Sequence, residues 1–320
     1  MADLKSVVLD PTIESFVGEI AAAGHPPVYS VTPEEGRETL RRAQSIRLDV
    51  PDVHIEDRAV DTAVGQVNLR VVRPAGAGTN TPGILYFHGG GWVLGDANTH
   101  DRLVRQLAAG SGATVVFVEY GRSPEHRYPF AINQAYEATR YVCDHADQFR
   151  IDPSRLAVAG DSAGGNMAAA VTLLAKQRSG PALRAQILFY PVANAAFDTS
   201  SYQEFANGPW LTRAAMQWFW DQYLPNEEKR KEPYASPLLA SRGELAGLPR
   251  ALVITAENDV LRDEGEAYGR KLMQAGVPTV VTRYIGAIHD FMMLNRIAAA
   301  APVRAAVAQA VQFLSAVLAP

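Results

Sequence analysis

Residues 155–175, RLAVAGDSAGGNMAAAVTLLA, hold the reading on which the fold turns. RLAVAG (155–160) is short and apolar, as a buried strand is, and AGGNMAAAVTLLA (163–175) is Ala-rich and helix-forming. A strand therefore passes into a helix within a few residues, and Gly160-Asp161-Ser162-Ala163-Gly164 makes the turn. In a G-x-S-x-G turn the serine backbone is strained so that its hydroxyl stands above the sheet, and the flanking glycines clear the space. The helix that starts there aims its free N–H groups and positive dipole end at the same point, where negative charge would be stabilised. The pentapeptide alone also fits a purely structural strand–helix turn. Its setting, strand before and helix after, makes Ser162 the candidate nucleophile.

Outward from this turn the pattern repeats. GILYFH (83–88) is apolar and short, TVVFVEY (114–120) is a β-branched run as a strand covered on both faces is, and AQILFY (185–190), ALVITAE (251–257) and TVVTRYI (279–285) follow the same grammar. Helical spacing fills about 100–111, 130–148, 163–178, 263–275 and 298–317. Strand–helix alternation of this kind predicts an α/β fold, a mostly parallel central sheet flanked by helices. VHIEDRAV (53–60) and QVNLRVVRP (66–74) read as two earlier strands with Gly65 in the turn between them. Residues 1–50 carry helical spacing, and Thr32 with Glu35 forms a capping-box signature. After Tyr190, about sixty residues pass before the next strand, too many for a structureless loop. They include GPWLTRAAMQWFWDQYL (208–224), which predicts a helical insertion packed with the N-terminal helices as a cap. The expected division is 1–50 N-terminal cap helices, 51–195 first part of the core, 196–245 cap insertion and 246–320 second part of the core.

Composition narrows the partners. Of 320 residues, 48% are hydrophobic and 20% charged, enough for a large core without disulfides or metals. A formal net charge of -4 argues against nucleic acid or an anionic membrane surface. The single cysteine, Cys143, cannot form an internal disulfide and fits a reducing compartment. It lies in the helical pattern AYEATRYVCDHA (135–146) and reads as a small half-buried hydrophobe. The N-terminus MADLKSVVLDPTIES lacks a basic stretch followed by an apolar one, and no segment is apolar enough to span a bilayer. A cytoplasmic protein is expected.

YFHGGGWVLG (86–95) places three glycines directly after a strand. Glycines let the backbone approach a ligand and point its amides inward, which suits an oxyanion hole. Gly90 and Gly91 are the expected donors from this loop, with the Ala163 amide as the third. A phosphate cradle is the competing use of a glycine run, but no Lys-Ser/Thr follows and the dinucleotide spacing is absent. His88 reads as an anchor of the loop and not as a base.

Taken together, HGGGW (88–92), YGRSPEHRYP (120–129), GDSAGG (160–165), ENDVLRDEGEAYGRKLMQAG (257–276) and a late histidine resemble the hormone-sensitive-lipase-like bacterial family IV carboxylesterases. The resemblance covers roughly residues 80–315. It implies the α/β-hydrolase fold with a helical cap, hydrolysis of short-chain acyl esters of roughly two to eight acyl carbons, a small-molecule ester substrate, no cofactor and no metal. It also suggests a homodimer through the edge strand near 279–285.

A serine hydroxyl needs a base, and the base an orienting carboxylate, in the chain order Ser, acid, His. Asp259 lies just past the strand 251–257 and matches the family's acid. Asp263, with Glu266 three residues on, reads as a helix N-cap box, and Glu257 as a structural strand-end carboxylate. His289 is the only histidine after the acid and follows the strand 279–285. His25 and His54 precede the core, His100 sits near a helix start, His126 in a loop, and His145 closes a helix. Two positions depart from the family pattern. Asp290 replaces the usual glycine after the histidine; its carboxylate either raises the His289 pKa or turns to solvent. Arg122, in Gly121-Arg122-Ser123, is displaced by one position from the usual arginine. Trp92, Tyr190, Phe205, Trp210, Trp218 and Phe219 are candidate substrate-pocket residues, though cap aromatics equally often form the cap's own core. An amidase or arylacetamide-deacetylase-like hydrolase, or a non-catalytic ligand receptor on the same fold, are the competing readings.

Overall fold

The computed structural model describes residues 7–320; the start of the N-terminal stretch, residues 1–6, lies outside it. β3 (Thr81–Phe87), β4 (Thr114–Glu119), β5 (Ile151–Asp161), β6 (Ala185–Phe189), β7 (Arg250–Asn258) and β8 (Thr279–Ile288) run parallel. β1 (Val53–Thr62) and β2 (Gly65–Pro74) form the hairpin read from the sequence, and β2 joins β4 antiparallel. The strand order is β1-β2-β4-β3-β5-β6-β7-β8.

The alternating side chains of each strand divide between two buried layers. Leu85, Phe87, Val116, Val158, Leu188 and Val253 face α4 (Phe130–Asp144), α5 (Ala163–Gln177) and α9 (Arg262–Gln274). Ile84, Tyr86, Val115, Phe117, Ile187 and Ile254 face α1 (Pro11–Ala23), α3 (Asp101–Ser111) and α10 (Ala301–Val317). Each such side chain contributes about 1.5–3 kcal/mol, so double-sided burial explains why these strands contain so few polar residues.

Helix ends follow their local chemistry. α2 (Pro33–Gln44) carries the complete capping box: the Thr32 amide donates to Glu35 at 2.8 Å and the Glu35 amide to the Thr32 hydroxyl at 3.3 Å. The box expected from Asp263 and Glu266 does not form. α9 starts at Arg262, so Asp263 is already inside the first turn, where its charge still suits the dipole. Its carboxylate accepts the Ser201 amide (2.8 Å), and Glu266 pairs with Arg283 (2.7 Å) and Arg270 (2.9 Å). α4 stops at Asp144 with His145 as its cap, short of 148, and α10 starts at Ala301, where Pro302 occupies the first turn.

The long connection after β6 holds α6 (Ser200–Glu204), α7 (Arg213–Tyr223) and α8 (Arg242–Leu245). Phe16 of α1 meets Trp210 of this insertion with ring centroids 5.3 Å apart, so the N-terminal helix and the insertion touch. Among the described residues, no helix is long and apolar enough to cross a membrane.

Candidate active site

β5 ends at Asp161, and Ser162 takes φ 54°, ψ -118°, a backbone conformation costly for any residue with a side chain. The two glycines are required by contact. A Cβ on Gly160 would strike the Gly164 carbonyl, and one on Gly164 the Phe87 carbonyl at the end of β3. The strained turn is held on both sides: the Ser162 amide donates to Phe189 (2.9 Å), and its carbonyl accepts Val192 (3.1 Å) and Asn166 (3.1 Å). Asn166 donates from its side chain to Val192 and Ala235, tying the turn to the insertion.

Three side chains remote in the chain meet at this rim. His289 Nε2 is 2.9 Å from Ser162 Oγ, and His289 Nδ1 is 2.8 Å from Asp259 Oδ2. The other oxygen of Asp259 accepts the Leu261 amide (3.0 Å), which fixes the carboxylate's orientation. All three residues are buried. Burial pulls the His289 pKa down, but the Asp259 and Asp290 carboxylates more than reverse this and push it up to about 9. Asp290 does not turn to solvent. Its Oδ1 lies 3.4 Å from His289 Nε2 and its Oδ2 accepts the Trp210 indole N–H at 3.1 Å.

The glycine loop lies beside the serine turn. Gly90 (φ 98°), Gly91 (φ 60°) and Trp92 (φ 60°) all take left-handed backbone, and the Gly90 carbonyl accepts Val93 (3.1 Å) and Leu94 (2.8 Å). Among the described residues, the amides of Gly90, Gly91 and Ala163 have no hydrogen-bond partner. His88 anchors the loop: Nδ1 lies 2.8 Å from the Gly89 carbonyl, and its ring stacks on Tyr120 at 4.2 Å. Burial lowers its pKa to about 3, so it is neutral. Arg122, although displaced, donates to the Gly95 carbonyl at the end of the loop (2.6 Å).

Residues 84–293 match the family described as having the α/β-hydrolase fold. The chain belongs to the α/β-hydrolase family, in its hormone-sensitive-lipase-like branch. It is 47% identical to a thermostable esterase from Pseudomonas putida ECU1011, whose crystal structure superposes with a TM-score of 0.97 over 98% of this chain and 99% of that one. It is 38% identical to the carboxylesterase NlhH of Mycobacterium tuberculosis over 81% of this chain and 82% of that protein. To an ethyl acetate hydrolase of Pseudomonas putida it is 34% identical, over 90% and 93%.

Within this α/β-hydrolase the six aromatic candidates separate. Tyr190 (φ 36°) stands edge-on to His289 at 5.0 Å, Trp210 holds Asp290, and Phe219 covers Gly91 so closely that a Cβ there would strike its ring. Trp218 flanks Phe219 at 5.1 Å. Trp92 and Phe205 are corrected to core. Trp92 is fully buried and stacked on Tyr223 at 4.1 Å, with Trp220 edge-on at 4.9 Å. Phe205 is buried with the Arg262 guanidinium 5.2 Å over its ring. Glu257 is the expected strand-end carboxylate and accepts the Gly286 amide (2.8 Å).

Sequence reasoning missed Asp161 as more than a spacer between Gly160 and Ser162. Its fully buried carboxylate gathers Tyr86, Gly89 and His100. The signal was there: a charge between an apolar strand and an Ala-rich helix needs buried partners.

Proposed function

We propose that the protein is a carboxylesterase that cleaves short-chain acyl esters through Ser162, His289 and Asp259. The reading rests on one observation, the continuous hydrogen-bonded line from Ser162 Oγ through both nitrogens of His289 to Asp259. Its esterase and carboxylesterase relatives support it.

In the proposed reaction Ser162 Oγ attacks the ester carbonyl and passes its proton to His289 Nε2. The imidazolium so formed lies between Asp259 and Asp290, and both carboxylates stabilise it. The carbonyl oxygen, now anionic, is taken up by the free amides of Gly90, Gly91 and Ala163, each worth about 3 kcal/mol. The C–O bond to the alcohol breaks as His289 protonates the leaving oxygen. Water, deprotonated by His289, then attacks the acyl-serine, and the acid leaves. The contacts of Phe219 with Gly91, Trp210 with Asp290 and Tyr190 with His289 support a preference for small acyl groups, and hydrolysis of ethyl acetate by a relative points the same way.

A chain-length series of chromogenic esters with Ser162→Ala as control, run beside the matched amides, tests this. Turnover of short esters that vanishes in the variant is expected; amide cleavage at comparable rates would replace the reading with an amidase.

Residues 1–50 and 196–245 are proposed to act together as the cap, supported by the Phe16–Trp210 contact. A homodimer through β8 is proposed because this edge strand exposes Val280 and Ile285; a monomer by light scattering rejects it. The single half-buried Cys143 supports a cytoplasmic location, which cell fractionation checks.

A further inference from the structure

Directly beneath the serine turn lies a second aspartate–histidine pair that the acyl-transfer steps do not use. Asp161 Oδ1 accepts the Tyr86 hydroxyl at 2.6 Å and the Gly89 amide at 3.0 Å, and Oδ2 meets His100 Nε2 at 3.2 Å. The Asp161 and His100 side chains are both fully buried.

Both ring nitrogens of His100 have polar partners. The Thr99 hydroxyl lies 2.8 Å from the Asp96 carbonyl and 2.9 Å from His100 Nδ1 and has one proton for the two. The Asp96 carbonyl itself lies 3.3 Å from Nδ1. When that proton goes to the carbonyl, Nδ1 and Nε2 both face acceptors and His100 is an imidazolium, the state the Asp161 carboxylate favours. The charges agree: burial alone would neutralise each group, but Asp161 raises the His100 pKa and His100 lowers that of Asp161.

Gly89 is where this pair reaches the glycine loop. A Cβ on Gly89 would strike the Asp161 carboxylate, so loop and turn are at contact here, one residue before Gly90. We propose that Asp161, kept ionised by His100, is a positioning residue: by holding the Gly89 amide it sets the register of the Gly90 and Gly91 amides over Ser162. This inference rests on the esterase reading and its oxyanion site.

An amide matches this site less well than the carboxylate. The side chain of an Asp161→Asn variant would present one acceptor oxygen and one N–H donor group where three donors converge, so either Gly89 or protonated His100 would face a donor. Because the displaced amides matter only when the oxyanion forms, the loss belongs in kcat and not in KM. The test compares Asp161→Asn with the parent, counting active sites by titration with a serine-reactive phosphonate. Per titrated site, kcat is expected to fall roughly 10- to 100-fold with KM little changed. Affinity for a boronic acid, which mimics the tetrahedral species, should fall by a similar factor. A merely structural role would lower the number of titratable sites and leave kcat per site unchanged; that result overturns the proposal. If Asp161→Asn does not fold, Tyr86→Phe removes one donor and keeps the ion pair; a several-fold fall in kcat per site is expected and none would overturn it. A parent enzyme that the phosphonate does not titrate would refute the esterase reading instead.

Discussion

Two buried aspartate–histidine pairs lie within one region of the molecule and differ in what the outer ring nitrogen faces. In Asp259–His289 the nitrogen away from the carboxylate meets a hydroxyl, which can surrender a proton. In Asp161–His100 it meets a buried hydroxyl that has the Asp96 carbonyl as a second acceptor, and that carbonyl itself. The same two residue types therefore serve as the base of the proposed reaction in one place and as a buried pair behind the glycine loop in the other. Residue type and burial do not assign the role; the third partner does.

The largest effect that could break this comparison is at Asp259. Asp259→Asn should lower kcat by roughly 10⁴-fold, since the imidazole loses its orienting and charge-stabilising partner. Asp161→Asn should cost far less. Equal losses, measured per titrated site, would erase the distinction between the pairs.

Asp290 sharpens it. His289 must be neutral to accept a proton, and its pKa is pushed up to about 9 by burial opposed and outweighed by Asp259 and Asp290. Activity should therefore rise with pH toward the alkaline side. Asp290→Asn removes one of the two negative charges, lowers the pKa, and moves the acid limb of kcat/KM to lower pH. Superimposable acid limbs in the two proteins would show that the second carboxylate does not act on the base. The same raised pKa has a sign for stability. The ion pairing is fully present below the unfolded histidine's pKa and is lost as pH rises through about 9.

Trp210→Phe should give the smallest change. The lost indole hydrogen bond costs about 1 kcal/mol. That bond lowers the Asp290 pKa, so without it the carboxylate ionises less readily and the acid limb should move slightly in the same direction as in Asp290→Asn. Thermal denaturation and the pH profile read the two effects; an opposite pH shift would contradict the link from the insertion to His289.

Much of this was legible in the sequence because the fold's signals are local. A β-branched run covered on both faces, a glycine pair around Ser162 and a capping box at Thr32 each depend on neighbours a few residues away. The Asp263–Glu266 spacing misled because the helix begins two residues earlier than that cap requires, at Arg262, which moves Asp263 from the cap into the first turn. Trp92 misled because its packing partners, Trp220 and Tyr223, lie about 130 residues away in the insertion. Asp161, His100 and Tyr86 come from three separate segments, so their convergence depends on the strand order β3 beside β5 and the start of α3. Asp290 was recognised as a departure, but its choice between base and solvent was decided by Trp210, eighty residues away.

Labelling by a phosphonate, followed by intact mass and site mapping, tests the central claim most directly. One equivalent on Ser162, with a labelling rate that rises as His289 loses its proton and no adduct in Ser162→Ala, is the expected result. An undiminished adduct in Ser162→Ala, or a parent protein that takes up no label, would contradict it.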